Sequence, residues 1–221
     1  MCNLYTLDPN LIDLVEEFQR FLGLHLATPA GELSNTPWAK TVYPGYQGMF
    51  ARPMDLADPG GALEPVVGRW GLVPFFHKGE PKAWKSATNN ARSEDMHEKA
   101  SFRDAVKSRR AIIPVTAICE WTGPKGSKTK HLITRAGGGT LFLAGLWSRH
   151  KWEGEETLSY TMVMQATAEG DDMFAFHNRQ PVFLDRDGAQ TWLDTSADYR
   201  PLLMGPPGGA LVADPPEPVA A

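Results

Sequence analysis

Ala111-Ile112-Ile113-Pro114-Val115, Ile118-Cys119-Glu120-Trp121, His131-Leu132-Ile133-Thr134 and Leu141-Phe142-Leu143-Ala144-Gly145-Leu146-Trp147 follow one another closely, the later ones separated by Gly- or Lys-rich segments. Short apolar runs of this kind, each ended by a turn signal, read as consecutive β-strands. Downstream, 158–165 reads as another strand, as does Pro181-Val182-Phe183-Leu184, with a short helix near 188–193. Upstream, 66–73 forms a strand around Trp70-Gly71-Leu72-Val73-Pro74, and Thr41-Val42-Tyr43 forms a short one before Pro44-Gly45. The Pro- and Gly-rich stretch 28–65 is expected to be loops with short strands. Two more helices complete the pattern. The first has Asp8 as N-cap and Pro9 as its first residue, Leu11, Leu14, Val15, Phe18, Phe21 and Leu22 at helical spacing, and Gly23 as its stop. The second spans 95–108. Strands and helices do not alternate as a parallel βαβ sheet would require. The reading is α+β: one compact, β-rich domain over 1–204 with a few flanking helices. Residues 205–221 are too rich in Pro and Gly to pack and are expected to form a disordered tail.

The composition narrows the function classes. With 221 residues, 42% hydrophobic and 22% charged, the chain is an ordinary globular one. No apolar run is long enough to cross a membrane, and no charged-apolar-small leader precedes the domain. The two cysteines, Cys2 and Cys119, make neither a disulfide framework nor a zinc spacing. A cytoplasmic monomer without cofactor or metal is expected. The net charge of −4 is unevenly spread: 69–110 holds ten Lys/Arg against five Asp/Glu. That excess suits either a phosphate backbone or a solvated charged face. The Walker A, G-x-G-x-x-G, G-x-S-x-G and H-E-x-x-H signatures do not occur in the sequence.

The chemistry centres on the start, Met1-Cys2-Asn3-Leu4-Tyr5. Removal of Met1, which a small second residue permits, leaves an α-amine and a thiol on adjacent carbons. Both groups titrate close enough to neutral pH to supply a nucleophile. Such a 1,2-aminothiol turns an aldehyde into a Schiff base and then a five-membered thiazolidine. Glu120, in an apolar strand, becomes a general acid or base if it points inward, and a surface carboxylate if alternation turns it outward. His177 lies in Phe174-Ala175-Phe176-His177-Asn178-Arg179-Gln180-Pro181-Val182, as a catalytic or a structural imidazole. Arg179 can hold a phosphate or a carboxylate of the fold. Asn90 and Arg92 point the same way if their segment is a strand, and cap a turn otherwise. Phe75 and Phe76 are core residues, or wedges against nucleobases.

In order along the chain, Met1-Cys2, Trp70-Gly71-Leu72-Val73-Pro74, Asn90-Ala91-Arg92-Ser93-Glu94, Ser101-Phe102-Arg103, Arg110-Ala111-Ile112-Ile113-Pro114, Glu120-Trp121, Leu146-Trp147 and His177-Asn178-Arg179-Gln180-Pro181-Val182 resemble the SRAP domain family, the SOS response-associated peptidases that shield abasic sites in single-stranded DNA. The resemblance reaches to about residue 195. It implies a compact β-rich fold with Cys2 on the floor of a positive groove, Asn90, Glu120 and His177 in the active site, and Arg92 and Arg179 on phosphates. Pro44, Phe75 and Phe76 fall where the family lines its DNA groove. Asn3-Leu4 stands where many members have Gly-Arg, Gln180 where methionine is usual, and Ala100 where some relatives carry a basic residue.

The function the resemblance implies is covalent capture of an abasic site, the peptidase label reflecting removal of Met1. Two other classes stay open on the residues alone. One is an N-terminal-nucleophile amidohydrolase, in which the Cys2 thiol attacks an amide. The other is a single-stranded DNA-binding module without chemistry.

Overall fold

The computed structural model describes residues 2–28, 38–203 and 210–213. Twelve strands appear among them: β1 (Tyr5–Thr6), β2 (Thr41–Val42), β3 (Gln47–Pro53), β4 (Leu63–Trp70), β5 (Asn90–Arg92), β6 (Arg110–Val115), β7 (Ala117–Thr122), β8 (Thr129–Arg135), β9 (Leu141–Trp152), β10 (Glu155–Ala166), β11 (Arg179–Pro181) and β12 (Leu211–Ala213). The helices are α1 (Leu11–Glu17), α2 (Arg103–Ser108) and α3 (Arg186–Leu193). The β-rich α+β expectation holds.

Two sheets divide the strands. The smaller runs β12-β8-β7-β1-β2. The larger runs β11-β10-β4-β3-β6-β9, and β9 also pairs with β10, which closes β10-β4-β3-β6-β9 into a five-stranded barrel. The long strand β10 makes this possible by serving several partners along its length. Glu155 to Met162 pair antiparallel with β9, Ser159 and Tyr160 pair parallel with β4, and Met162 to Met164 pair parallel with β5. The hairpin from β9 to β10 turns on Glu153 and Gly154, both at positive φ (49° and 85°), as a two-residue primed turn requires. The interior is filled by Phe50, Trp70, Phe142, Tyr160 and their aliphatic neighbours, all almost completely buried.

Five expectations need correction. The first helix begins two residues later, with Asn10 as N-cap accepting from Asp13 N at 3.0 Å. It widens into a π-turn over Phe18–Leu22 before Gly23, at φ 67°, stops it. The helix expected over 95–108 is α-helical only from Arg103 to Ser108. Met96 and Phe102 are both buried, and a six-residue separation turns them about 120° apart on a helix, so the chain passes through successive turns instead. The strand expected to end at Trp147 continues to Trp152, and the ladder expected over 181–184 lies at Arg179–Pro181. Finally, Leu211–Ala213, inside the expected tail, is a strand on the edge of β8; the rest of 205–221 apart from Ala210 lies outside the described residues.

A buried contact helps tie the two sheets together. The hydroxyls of Tyr5 on β1 and Tyr160 on β10 hydrogen-bond to each other, both side chains fully buried. Gly48 on β3 faces both hydroxyls, and a β-carbon there would collide with each. Gly48→Ala is therefore expected to destabilise the protein by about 1–3 kcal/mol, the usual range for overpacking. A thermal melt measures this; an unchanged midpoint would mean that the tyrosine pair gives way freely.

Candidate functional site

The first residues run along β7, with Tyr5 opposite Ile118, Thr6 opposite Ala117, and Cys119 N donating to Leu4 O at 3.0 Å. This brings the chain start beside Glu120. From the other side, β5 is held by β10, with Met162 opposite Asn90. Asn90 Nδ2 donates to the Cys2 carbonyl at 2.7 Å, and Asn89 Nδ2 reaches the same oxygen at 3.4 Å.

Cys2 is fully buried and its thiol donates to Leu4 O at 3.4 Å. Burial, reinforced by the charge of Glu120, holds that thiol far above the ordinary range. The neighbouring Cys119 thiol is pushed up to about 11, also chiefly by burial. Glu120 points inward, 4% exposed, and its Oε1 has no hydrogen-bond partner. Burial raises its pKa, against the opposing pull of the positive amino terminus. Burial lowers the pKa of His177, and the amino-terminal charge lowers it further. His177 Nδ1 lies 3.0 Å from Arg179 N; since that N–H can only donate, Nδ1 accepts and the proton of the neutral ring sits on Nε2.

Cys2 thus lies buried beside the inward Glu120, while Asn90 holds the Cys2 carbonyl. Residues 1–214 match the family model for SOS response associated peptidase (SRAP). The chain belongs to the SRAP family. It is 30% identical over 215 residues to abasic site processing protein YoqW of Bacillus subtilis, a match covering 93% of this chain and 87% of that protein. It is 31% identical over 150 residues to abasic site processing protein HMCES of Xenopus tropicalis, covering 57% of this chain and 44% of that one. A crystal structure of a Bordetella bronchiseptica protein superposes with a TM-score of 0.76 at 29% identity, over 96% of this chain and 98% of that chain.

Around this candidate site the remaining candidates occupy different settings. Arg92 is exposed on β5, two residues from Asn90. Arg179 is engaged: its Nη1 lies 3.1 and 3.0 Å from the two carboxylate oxygens of Glu94. Pro44 is exposed in the turn closed by Tyr46 N donating to Tyr43 O at 2.9 Å. Phe75 and Phe76 are not core residues; they are 54% and 42% exposed and meet edge to face, with the Arg109 guanidinium 5.8 Å from the Phe75 ring. Among the described residues no cluster of three or more His, Cys, Asp or Glu side chains is placed to hold a metal, and no helix is long and apolar enough to span a membrane.

Sequence reasoning misses two residues here. Asn89 gives one signal, the doubled asparagine of Asn89-Asn90. His131 gives none, because only the β7–β8 register reveals that it lies opposite Glu120. Its Nε2 is 2.7 Å from Thr122 Oγ1 and its ring packs on Phe176.

The inward carboxyl has a thermodynamic consequence. Folded Glu120 holds its proton more tightly than the unfolded chain does, so its presence lowers stability as pH rises above the ordinary carboxylate range. Glu120→Gln should therefore stabilise the protein at pH 7, with the gain fading as the pH falls to the ordinary carboxylate range, about pH 4. Melts at the two pH values check this, and a pH-independent gain would show that Glu120 titrates normally.

Proposed function

We propose that this chain captures abasic sites in single-stranded DNA as a covalent thiazolidine, formed by Cys2 once Met1 is removed. The observation that carries the reading is the setting of Cys2, fully buried beside the inward Glu120 and held through its carbonyl by Asn90 at 2.7 Å. The names of the relatives as abasic site processing proteins support it.

The ring-opened sugar presents an aldehyde at C1′. The Cys2 amine adds to that carbon to give a carbinolamine, which loses water to become an imine. The thiol then adds to the imine carbon and its proton ends on nitrogen, closing the ring; the net change is loss of one water. A thiol held protonated by burial is a poor first nucleophile, which supports an amine-first order. Glu120 is held towards its acid form and His177 towards its neutral form, which narrows the gap between the two and suits them to exchange protons during ring opening and dehydration. Asn90 fixes the Cys2 carbonyl. Arg92 and Arg179 hold flanking phosphates, Arg179 exchanging Glu94 for a phosphate, and Pro44, Phe75 and Phe76 border the path of the strand. The peptidase label of the family corresponds to loss of Met1. The protein acts in the DNA damage response, in the cytoplasm at the nucleoid, as a monomer.

A denaturing gel with an abasic oligonucleotide tests this directly. The parent should give a denaturant-stable adduct, and Cys2→Ala should give none while retaining noncovalent binding. Adduct formation by Cys2→Ala at the parent level would overturn the thiazolidine mechanism.

The phosphate contacts are tested by salt. Arg92→Ala should weaken binding to all sequences alike and reduce the log–log salt slope by about 0.7, the value for one phosphate on a single strand. An unchanged slope in a filter-binding titration would remove Arg92 from the interface.

A further inference from the structure

We infer that Asn89, bridged to Asn3, is a positioning residue for the Cys2 nucleophile, a role that rests on the aldehyde-capture reading and deepens it. Asn89 Nδ2 lies 3.2 Å from Asn3 Oδ1 and 3.4 Å from Cys2 O. The second contact is long for a hydrogen bond. The first compensates, because one amide now reaches the residues on both sides of the Cys2–Asn3 peptide bond. Asn90 Nδ2 approaches the same Cys2 oxygen at 2.7 Å. The peptide plane that follows Cys2 is thereby gripped by two neighbouring side chains.

A donor fixes only what it touches, and only if it is fixed itself. Asn89 meets that condition. Its carbonyl accepts from Trp70 Nε1 at 2.8 Å and from Met162 N at 3.1 Å, and both partners are completely buried. Asn89 is itself only 9% exposed. Its backbone therefore belongs to the large sheet, whereas the chain start belongs to the small one through β1. The Asn89 side chain spans the seam between them.

The grip matters most after Met1 is lost. Cys2 then has no preceding peptide plane, so its Cα is anchored by the plane that follows, and the thiol hydrogen bond to Leu4 O limits the rotation about the Cα–C bond that would swing the amine. Asn3 is the exposed outer end of this arrangement, in a chain that has Asn3-Leu4 directly after the nucleophile. Holding the amine and thiol in one orientation lowers the entropy lost on reaching the transition state. It leaves affinity for DNA untouched, because Asn89 faces the protein's own backbone.

The test uses the full chain with Met1 removed and two aldehydes. One is an abasic oligonucleotide, followed on denaturing gels. The other is formaldehyde, which closes a thiazolidine without DNA and is followed by mass spectrometry of the N-terminal peptide. Asn89→Leu keeps the volume and deletes the donors. The maximal rate per folded molecule should fall about 3- to 10-fold, the worth of one net hydrogen bond, while the half-saturating oligonucleotide concentration stays constant. The formaldehyde rate should fall in parallel. Asn3→Ala added to Asn89→Leu should slow the reaction no further, since both remove the same bridge. A lower melting temperature with a normal rate per folded molecule would reduce Asn89 to packing and overturn the inference. A raised half-saturating concentration at an unchanged maximal rate would make it a DNA contact and overturn it equally. A parent that closes on formaldehyde but not on abasic DNA would remove the DNA reading, and the formaldehyde arm would then decide Asn89 by the same criterion.

Discussion

A chain end has a neighbour on one side only, and a nucleophile placed there frays unless something holds it. Here the holding element is small: β1 has two residues, Tyr5 and Thr6, between β7 and β2. Two residues of ladder are too few to order a terminus by backbone pairing alone. The rest comes from the side chain of Tyr5, which crosses to the other sheet, meets the Trp70 ring edge to face at 5.1 Å and shares a hydrogen bond with the Tyr160 hydroxyl. A buried hydroxyl left alone would cost stability, and the pair satisfies both at once. Gly48 makes room for them. The same seam between sheets is bridged again at Asn89 and Asn90, so the start of the chain is held at two levels, once by a core contact and once at the site.

That seam also sets the electrostatics. Cys2, Glu120 and Asn90 sit where two sheets exclude water, and burial moves each titratable group towards its neutral form. Glu120 Oε1 and Asn90 Oδ1 are buried without partners, an expensive arrangement in a structural core and a natural one where a ligand supplies the missing donors. Arg179, by contrast, is only partly buried and pairs with Glu94. There burial pushes the Glu94 carboxyl up, but the Arg179 hydrogen bonds and charge outweigh it and the net shift is down. The pair is partly exposed, so its strength is modest, and a phosphate can replace the carboxylate at little cost.

Much of the fold was legible because the β-rich centre announces itself locally. The runs at 111–115, 118–121, 131–134 and 141–147 are apolar, short and punctuated, and each became a strand. What was not legible depended on partners distant in sequence. Nothing in Leu211-Val212-Ala213 marks a strand until the open edge of β8 accepts it, with Asp172 Oδ2 taking the hydrogen bond of Leu211 N at 2.9 Å. The closure of the barrel likewise rests on a single strand, β10, being long enough to serve partners in succession. At the site, Cys2, Asn90, Glu120 and His177 could be picked out by residue type and order. Asn89 and His131 could not, because their significance lies in register and reach. The inward turn of Glu120 was undecidable from alternation in Ala117-Ile118-Cys119-Glu120, where all four residues are buried and the pattern carries no phase.

The protonation pattern also weighs between the two covalent chemistries that a leading cysteine suggests. An amidohydrolase of this kind needs a thiolate as first nucleophile, with the adjacent amine as its base. It would gain from surroundings that lower the thiol pKa, such as a cation or a helix N-terminus. The surroundings of Cys2 do the opposite: they are dry, they contain a carboxyl group, and burial keeps the thiol protonated. Aldehyde capture has no need of an early thiolate. The amine attacks first, and the thiol is called on only after an imine, a far stronger electrophile than an amide, stands beside it. Its proton ends on the imine nitrogen as the ring closes. A buried, protonated thiol next to an inward glutamate is thus a poor hydrolase and a serviceable second nucleophile.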